Sequence, residues 1–296
     1  MTTVSKAVLV TGCSGGIGRA TATRLASAGY TVYATARRPE TLTDLAELGC
    51  RTMALDVTDE ESVRSAVLVV EAEAGAVGVL VNNAGYSQSG PVETVPMDAV
   101  RRQFETNVFG PTLLTQLVLP GMRAQRWGKV VTIGSMGGRL TFPGGGYYHA
   151  TKYALEALSD ALRFEVAGFG VDVVLIEPGF IRTGFSGAAA ATMAPGDDPR
   201  SGAGGDAAGD PYRAFSAAVL ASTRTVCERG LVARLGGGPD DVAKIVLEAI
   251  TADPPRARYP VTASARLLHA LRRVLPDRAW DAFLARQFVR PGVSRG

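Results

Sequence analysis

Residues 147–152 read YYHATK and place two tyrosines, a histidine and a lysine within six positions. Each of these side chains can carry a proton to or from a reacting atom. Tyr148 and Lys152 stand four apart, so on a helix they share one face, a turn from each other. A second stretch, TGCSGGIG over 11–18, offers a different chemistry. Gly12, Gly16 and Gly18 let the backbone turn tightly and approach a ligand closely. A helix starting there aims free N–H groups and the positive end of its dipole at the same place, which suits a pyrophosphate.

Which dinucleotide would sit there is set further on. An acidic residue about 20 positions past such a loop holds the ribose 2′-hydroxyl of NAD, whereas an arginine suits the 2′-phosphate of NADP. The chain reads ATARRPE, with Arg37 and Arg38 in that place. The fork of donors on arginine matches a phosphate, so NADP(H) is the expected cofactor.

These groups need a frame to hold them. AVLVTG (7–12) reads as a buried strand, GIGRATATRLASAG (16–29) as a helix closed by glycine, and TVYATAR (31–37) as the next strand. The alternation continues with a strand at 51–58, a helix from Asp59 to about Ala74 and a strand at 77–85. A long helix follows near 98–125, then a strand at 128–135, a helix from Tyr148 to Ala167 and a strand at 171–179. Strands and helices alternating in this way imply right-handed βαβ units and a doubly wound parallel sheet, the Rossmann fold. Residues 184–210, rich in Gly, Ala and Asp, break the rhythm and are expected to form a lid that is ordered only in part. Residues 239–251 read as an amphipathic helix, and 264–290 as an apolar and arginine-rich helical tail packed on the domain. The division expected is one domain over 1–296: a core at 5–185, a substrate lid at 184–235 and a C-terminal helical extension at 236–296.

Composition narrows the function. The chain has 296 residues, 46% hydrophobic and 20% charged, enough for a large core. A net charge of +3 without a basic aromatic run gives nucleic-acid binding no support. Cys13, Cys50 and Cys227 form no CxxC pair, and only two histidines are present, so neither a disulfide framework nor a metal site is expected. No signal-peptide core and no bilayer-length apolar run is read, which makes the expected location cytoplasmic.

TGCSGGIG, NNAG (82–85), Ser135, YHATK (148–152) and PGFIRT (178–183) together resemble the short-chain dehydrogenase/reductase family over about residues 5–185. The wording VTGCSGGIG, VYATAR and PGFIRTGF is similar to the branch of 17β-hydroxysteroid and retinol dehydrogenases. The family's YxxxK motif fits Tyr148 and Lys152, while Tyr147 would need a lysine where Thr151 stands. The resemblance makes Tyr148 the acid/base, its pKa of about 10 lowered by the Lys152 ammonium and by an oxidised nicotinamide. It makes Ser135 the group that steadies charge on the substrate oxygen. It gives Asn107 a water linking Lys152 to solvent. Ser14 and Ile17 join the phosphate loop, Asp56 and Val57 lie beside the adenine, and Asn83, Ala84 and Gly85 line the adenosine ribose. Pro178, Gly179, Ile181 and Thr183 hold the nicotinamide end.

The resemblance thus implies an NADP(H)-dependent oxidoreductase for a small apolar ketone, aldehyde or alcohol, working as a homodimer or homotetramer. His149, about 100° around the helix from Tyr148, is assigned a packing or surface role. Tyr147, read as lying just before the helix, is a possible substrate contact. Two other classes compete: a regulatory NADP(H)-binding protein without turnover, which would usually lose Ser135, Tyr148 or Lys152, and a sugar-nucleotide epimerase or dehydratase, whose loop spacing differs. Segments 86–92, 140–147 and 184–235 are the expected source of the substrate pocket, with Phe142, Phe180, Phe185 and Phe215 as its apolar candidates.

Overall fold

Apolar residues alternate along each strand, so each strand feeds two cores. In β1 (Val8–Val10), Val8 and Val10 face one side of the sheet and Leu9 the other, all fully buried. β4 (Val79–Asn82) and β5 (Gly128–Ile133) repeat the pattern, with Val79, Val81, Val131 and Ile133 on one face and Leu80 and Val130 on the other. This period of two forces helices onto both faces. The computed structural model describes residues 4–193, 210–225 and 234–291.

The sheet has seven parallel strands in the order β3-β2-β1-β4-β5-β6-β7. Its remaining strands are β2 (Val32–Ala36), β3 (Arg51–Ala54), β6 (Val171–Glu177) and β7 (Arg258–Pro260). α1 (Gly16–Ser27), the short α2 (Thr43–Glu47) and a C-terminal helix, Pro239–Thr251, cover one face through Ala22, Leu25, Leu45, Val242 and Val246. α3 (Glu60–Ala74), a helix at Gly110–Ala124 and another at Gly146–Val166 cover the other through Val63, Val67, Leu114, Val118, Met122 and Val166. Each fully buried Leu or Val contributes roughly 1.5–3 kcal/mol, so the two cores dominate the fold's stability. Asp59 caps α3 by accepting from the Glu61 and Ser62 amides.

The doubly wound architecture agrees with the sequence reading, and the structure refines several elements. The long helix expected near 98–125 is α4 (Met97–Phe104) and α5 (Gly110–Ala124), joined by a π-turn at Glu105–Phe109 that contains Asn107. The helix carrying the YYHATK stretch, α6, begins at Gly146, so Tyr147 lies in its first turn and not before it. Part of the segment expected to be a lid is helical: α7 spans Phe185–Ala191 and α8 Arg213–Thr225, while 194–209 lie outside the described residues.

After α9 (Pro239–Thr251) comes β7, a strand with no sequence signal. Its three residues include an arginine and a proline, yet they pair with Leu175–Glu177 at the sheet edge, where proline is tolerated. The tail forms two helices, α10 (Ala263–Val274) and α11 (Asp277–Ala285), because Pro276 between them cannot continue α10. Both pack on the domain, burying Ala265 and Trp280. Among the described residues no helix is long and apolar enough to cross a membrane.

Candidate active site

The strand order reverses between β1 and β4, which opens a crevice at their carboxyl ends. Thr11, just past β1, pins the two strand ends together. Its hydroxyl oxygen accepts from the Asn83 and Ala84 amides at 2.9 and 3.0 Å. Asn83 answers by donating its side-chain amide to the carbonyls of Thr11 and Gly12. This leaves no room for side chains. A Cβ on Gly18 would lie 2.3 Å from the Gly12 oxygen, and Gly12 itself has φ +73° and faces Ala84 at 2.9 Å. The sequence singled out Asn83, Ala84, Gly12 and Gly18 but missed Thr11, a strand-end threonine like many others.

Beyond that junction the loop opens. Ser14, Gly15 and Gly16 are exposed, and a Cβ on Gly15 would meet nothing. α1 begins with no side-chain cap and no acid in its first turn, so its amides remain for an anion. Ile17 lies in that first turn and packs against the core. Thr183 stands over Gly16, 3.6 Å from the Cβ that Gly16 lacks, which unites the loop with the PGFIRT stretch. Ile181, in that stretch, is buried and bridges to Gly237. Gly179 allows Thr262 and Ser264 to approach, and the Pro178 carbonyl accepts from the Met136 amide at 2.9 Å. Arg37 and Arg38 follow β2, both exposed. Asp56 accepts from Thr58 and holds the turn after β3, and Val57 is buried against Gly110.

Ser135, Tyr148 and Lys152 come together at the end of β5. The Ser135 side chain accepts from the Gly137 amide at 3.0 Å and so caps its own turn. Burial pushes the Tyr148 phenol up to about 12, and a hydrogen bond with Ser135 works against the rise. Burial pushes Lys152 down to about 8. The expectation that Lys152 lowers Tyr148 is therefore not met by the protein's own groups. The ammonium donates to the Ile133 carbonyl at 2.9 Å and lies 5.8 Å from the Tyr148 ring centre, and desolvation sets the direction of the Tyr148 shift.

Asn107 is buried, and both N–H donors of its amide are taken by protein. It accepts from the Tyr86 amide at 3.0 Å and donates to the Tyr86 carbonyl and to Thr151 at 2.9 and 3.1 Å. Thr151 in turn donates to the Tyr148 carbonyl at 2.7 Å. The π-turn at Glu105–Phe109 also shifts the backbone hydrogen bonding around Asn107.

The segments expected to form the substrate side do meet. The Gly90 amide donates to Gly144, the Ser89 amide to the Thr192 hydroxyl, and Tyr212 to Glu93. The Phe185 ring centre lies 5.5 Å from that of Tyr148, and Phe142 lies between Phe180 and Trp280 at 6.3 and 6.4 Å. Phe215 is buried beside Tyr212. Trp280 was not among the sequence candidates, because nothing in a distant amphipathic helix marks the residue that reaches back. Tyr147 donates to the Val92 carbonyl at 3.0 Å and packs on Val95, Ala99 and Val100, so it is a structural link. His149 is buried and does not reach the surface.

Residues 6–194 match the family model described as short chain dehydrogenase. The chain is 35% identical to the NADPH-dependent 3-dehydrocapnine reductase of Ornithobacterium rhinotracheale, over 92% of this chain and 94% of the relative. It is 33% identical to retinol dehydrogenase 5 of Mus musculus, over 97% of this chain and 90% of the relative. The crystal structure of a short-chain dehydrogenase from Streptomyces avermitilis superposes with a TM-score of 0.73 at 35% identity, covering 96% of both chains. With the sheet order and the crevice, these matches establish that the chain belongs to the short-chain dehydrogenase/reductase family of oxidoreductases.

Proposed function

We propose that the protein is an NADP(H)-dependent oxidoreductase that interconverts an apolar ketone or aldehyde with its alcohol, Tyr148 acting as proton donor and acceptor. The observation that carries this reading is the half-buried Tyr148 side chain, its phenol bonded to Ser135 and backed by Lys152, at a crevice with a glycine-rich anion loop. The uncapped α1 and the open Gly15 fit a pyrophosphate. Arg37 and Arg38 would hold the 2′-phosphate, Asp56 and Val57 the adenine side, Asn83 to Gly85 the ribose, and Pro178 to Thr183 the nicotinamide side. When bound, the cofactor supplies the hydride.

The chain's own residues supply the proton and the orientation. At neutral pH a phenol with pKa near 12 is protonated, so it is ready to donate to a carbonyl oxygen as reduction proceeds. Ser135 stabilises charge on that oxygen. Lys152, able to lose or regain a proton near pH 8, can restore the phenol. Phe142, Phe180, Phe185 and Trp280 favour an apolar substrate. The names of two relatives, a 3-dehydrocapnine reductase and a retinol dehydrogenase, lean the same way. Exposed Phe109, Tyr153, Leu158 and Phe164 around α5 and α6 support a homo-oligomer. Free, buried Cys13 and Cys50 fit a cytoplasmic location.

The test is a panel of long-chain ketones, aldehydes and alcohols followed by NADPH absorbance, with NADH as control. Turnover of apolar carbonyls with a preference for NADPH is expected. Binding of NADPH without turnover of any member would favour the regulatory reading.

A further inference from the structure

The chain has two histidines, far apart in sequence, and both reach the same turn. His149 lies in the first turns of α6 and bonds through Nδ1 to the Gly137 carbonyl at 3.0 Å. His269, in the middle of α10, bonds through Nε2 to the Met136 carbonyl at 3.2 Å. These are consecutive carbonyls, and the turn they hold is the one capped by Ser135. The neighbouring glycines make room for this. A Cβ on Gly137 would lie 2.4 Å from His149 Nδ1, and one on Gly145 would lie 2.9 Å from its Nε2.

The second ring nitrogen of His149 fixes its state. Nε2 accepts from the Phe142 amide at 3.2 Å, so it carries a lone pair and Nδ1 carries the proton donated to Gly137. A second proton on Nε2 would oppose the Phe142 N–H. Among the described residues no charged side chain offsets this cost: burial lowers the His149 pKa, the Gly137 bond works against that, and the Tyr148 ring is a titratable neighbour. The surroundings of His269 are different. Its Nδ1 faces Glu177 at 3.7 Å, with Arg139 and Arg258 on the far side of that carboxylate, Glu156 of α6 beside it and Asp160 beyond Arg258. A proton on His269 would meet a buried carboxylate, whose two oxygens have no hydrogen-bond partner of their own.

The geometry points to His149 and His269 as positioning residues that clamp the Ser135 turn through consecutive carbonyls, with a second proton on His149 breaking its Nε2 bond from the Phe142 amide, swinging the ring away from that amide and so loosening the clamp. This rests on Ser135 serving the reaction proposed above. The C-terminal extension then has a part in catalysis, because α10 supplies one jaw.

The experiment measures kcat, KM and NADPH affinity from pH 5 to 8, with the fastest ketone of the panel, for wild type, His149→Asn, His269→Leu, His269→Gln, Glu156→Gln and Ser135→Ala. His269→Leu should lower kcat about 10–100-fold, as a misplaced group does, with NADPH affinity unchanged. His269→Gln retains an N–H donor and should recover most of the loss. Wild type should lose kcat in an acid limb centred below the ordinary histidine value of about 6.5, because burial lowers His149, and this limb should vanish in His149→Asn yet persist in Glu156→Gln. A nitrogen NMR titration of wild type should show His149 neutral with the proton on Nδ1, losing that state along the same limb. If Ser135→Ala keeps full activity, the functional reading fails. If Ser135→Ala is impaired while His269→Leu keeps wild-type kcat or the acid limb survives in His149→Asn, the clamp is wrong. Loss of the limb in Glu156→Gln would equally overturn it.

Discussion

The cofactor side and the substrate side of this molecule are built by different means. Between β1 and β4 the backbone does most of the work: Gly12 and Gly18 are present because a Cβ would strike the Gly12 carbonyl or Ala84, and the α1 amides are left free. On the substrate side, side chains from distant segments meet. Phe185 reaches Tyr148, Trp280 reaches Phe142, Thr192 reaches Ser89, and Tyr212 reaches Glu93. A site made from backbone constrains its sequence tightly, whereas one assembled from side chains can be redesigned by single substitutions. The first side should be intolerant to change and the second tunable.

Charge at the cofactor end gives the largest expected effect among substitutions outside the reacting groups. Arg37→Glu should raise the KM for NADPH about 10–100-fold, the equivalent of losing one charge-assisted hydrogen bond, and leave the KM for NADH nearly unchanged. Equal effects on both cofactors would remove the 2′-phosphate assignment. Phe185→Ala should be milder and confined to the other side. Losing one ring contact should raise KM for an apolar ketone up to about tenfold, with NADPH affinity intact. If the variant instead weakened NADPH, the division between the two sides would not hold.

The smallest expected effect is on stability. Burial and the charge of Glu177 raise Glu156 to about 7 from 4.5. Between those values the folded protein keeps a proton that the unfolded chain has lost, so stability falls as pH rises through the window and the penalty is complete above it. Glu156→Gln removes that penalty. Its Tm should exceed that of wild type at pH 8, by about 2–4 °C per kcal/mol recovered, with little difference at pH 4.5. The same difference at both pH values would show that Glu156 does not titrate in this window.

This contrast also explains what the sequence revealed. The alternation of Val8, Leu9 and Val10, or of Val79, Leu80 and Val81, carries the doubly wound sheet, and Gly12 and Gly18 of the loop mark places where backbone must pass close to backbone. Tyr148 and Lys152 could be paired in the sequence because one helix face sets their spacing, and Ser135 was picked out by the family resemblance. β7 was not, since three residues with a proline carry no period and pair only because β6 presents an open edge. Thr11, Trp280 and His269 escaped for a similar reason: each matters through a partner remote in sequence. The helical angle sets His149 apart from the Tyr148 and Lys152 face, but its grip on Gly137 depends on a turn that sequence does not place.

The central claim is that the Tyr148 hydroxyl moves the proton. The direct measurement is single-turnover reduction of a ketone by Tyr148→Phe, with NADPH affinity determined in parallel. Loss of one general acid should slow the step by about 10²–10⁴-fold, with NADPH binding as in wild type. A rate within a few fold of wild type, in a variant that still binds NADPH, would contradict the account.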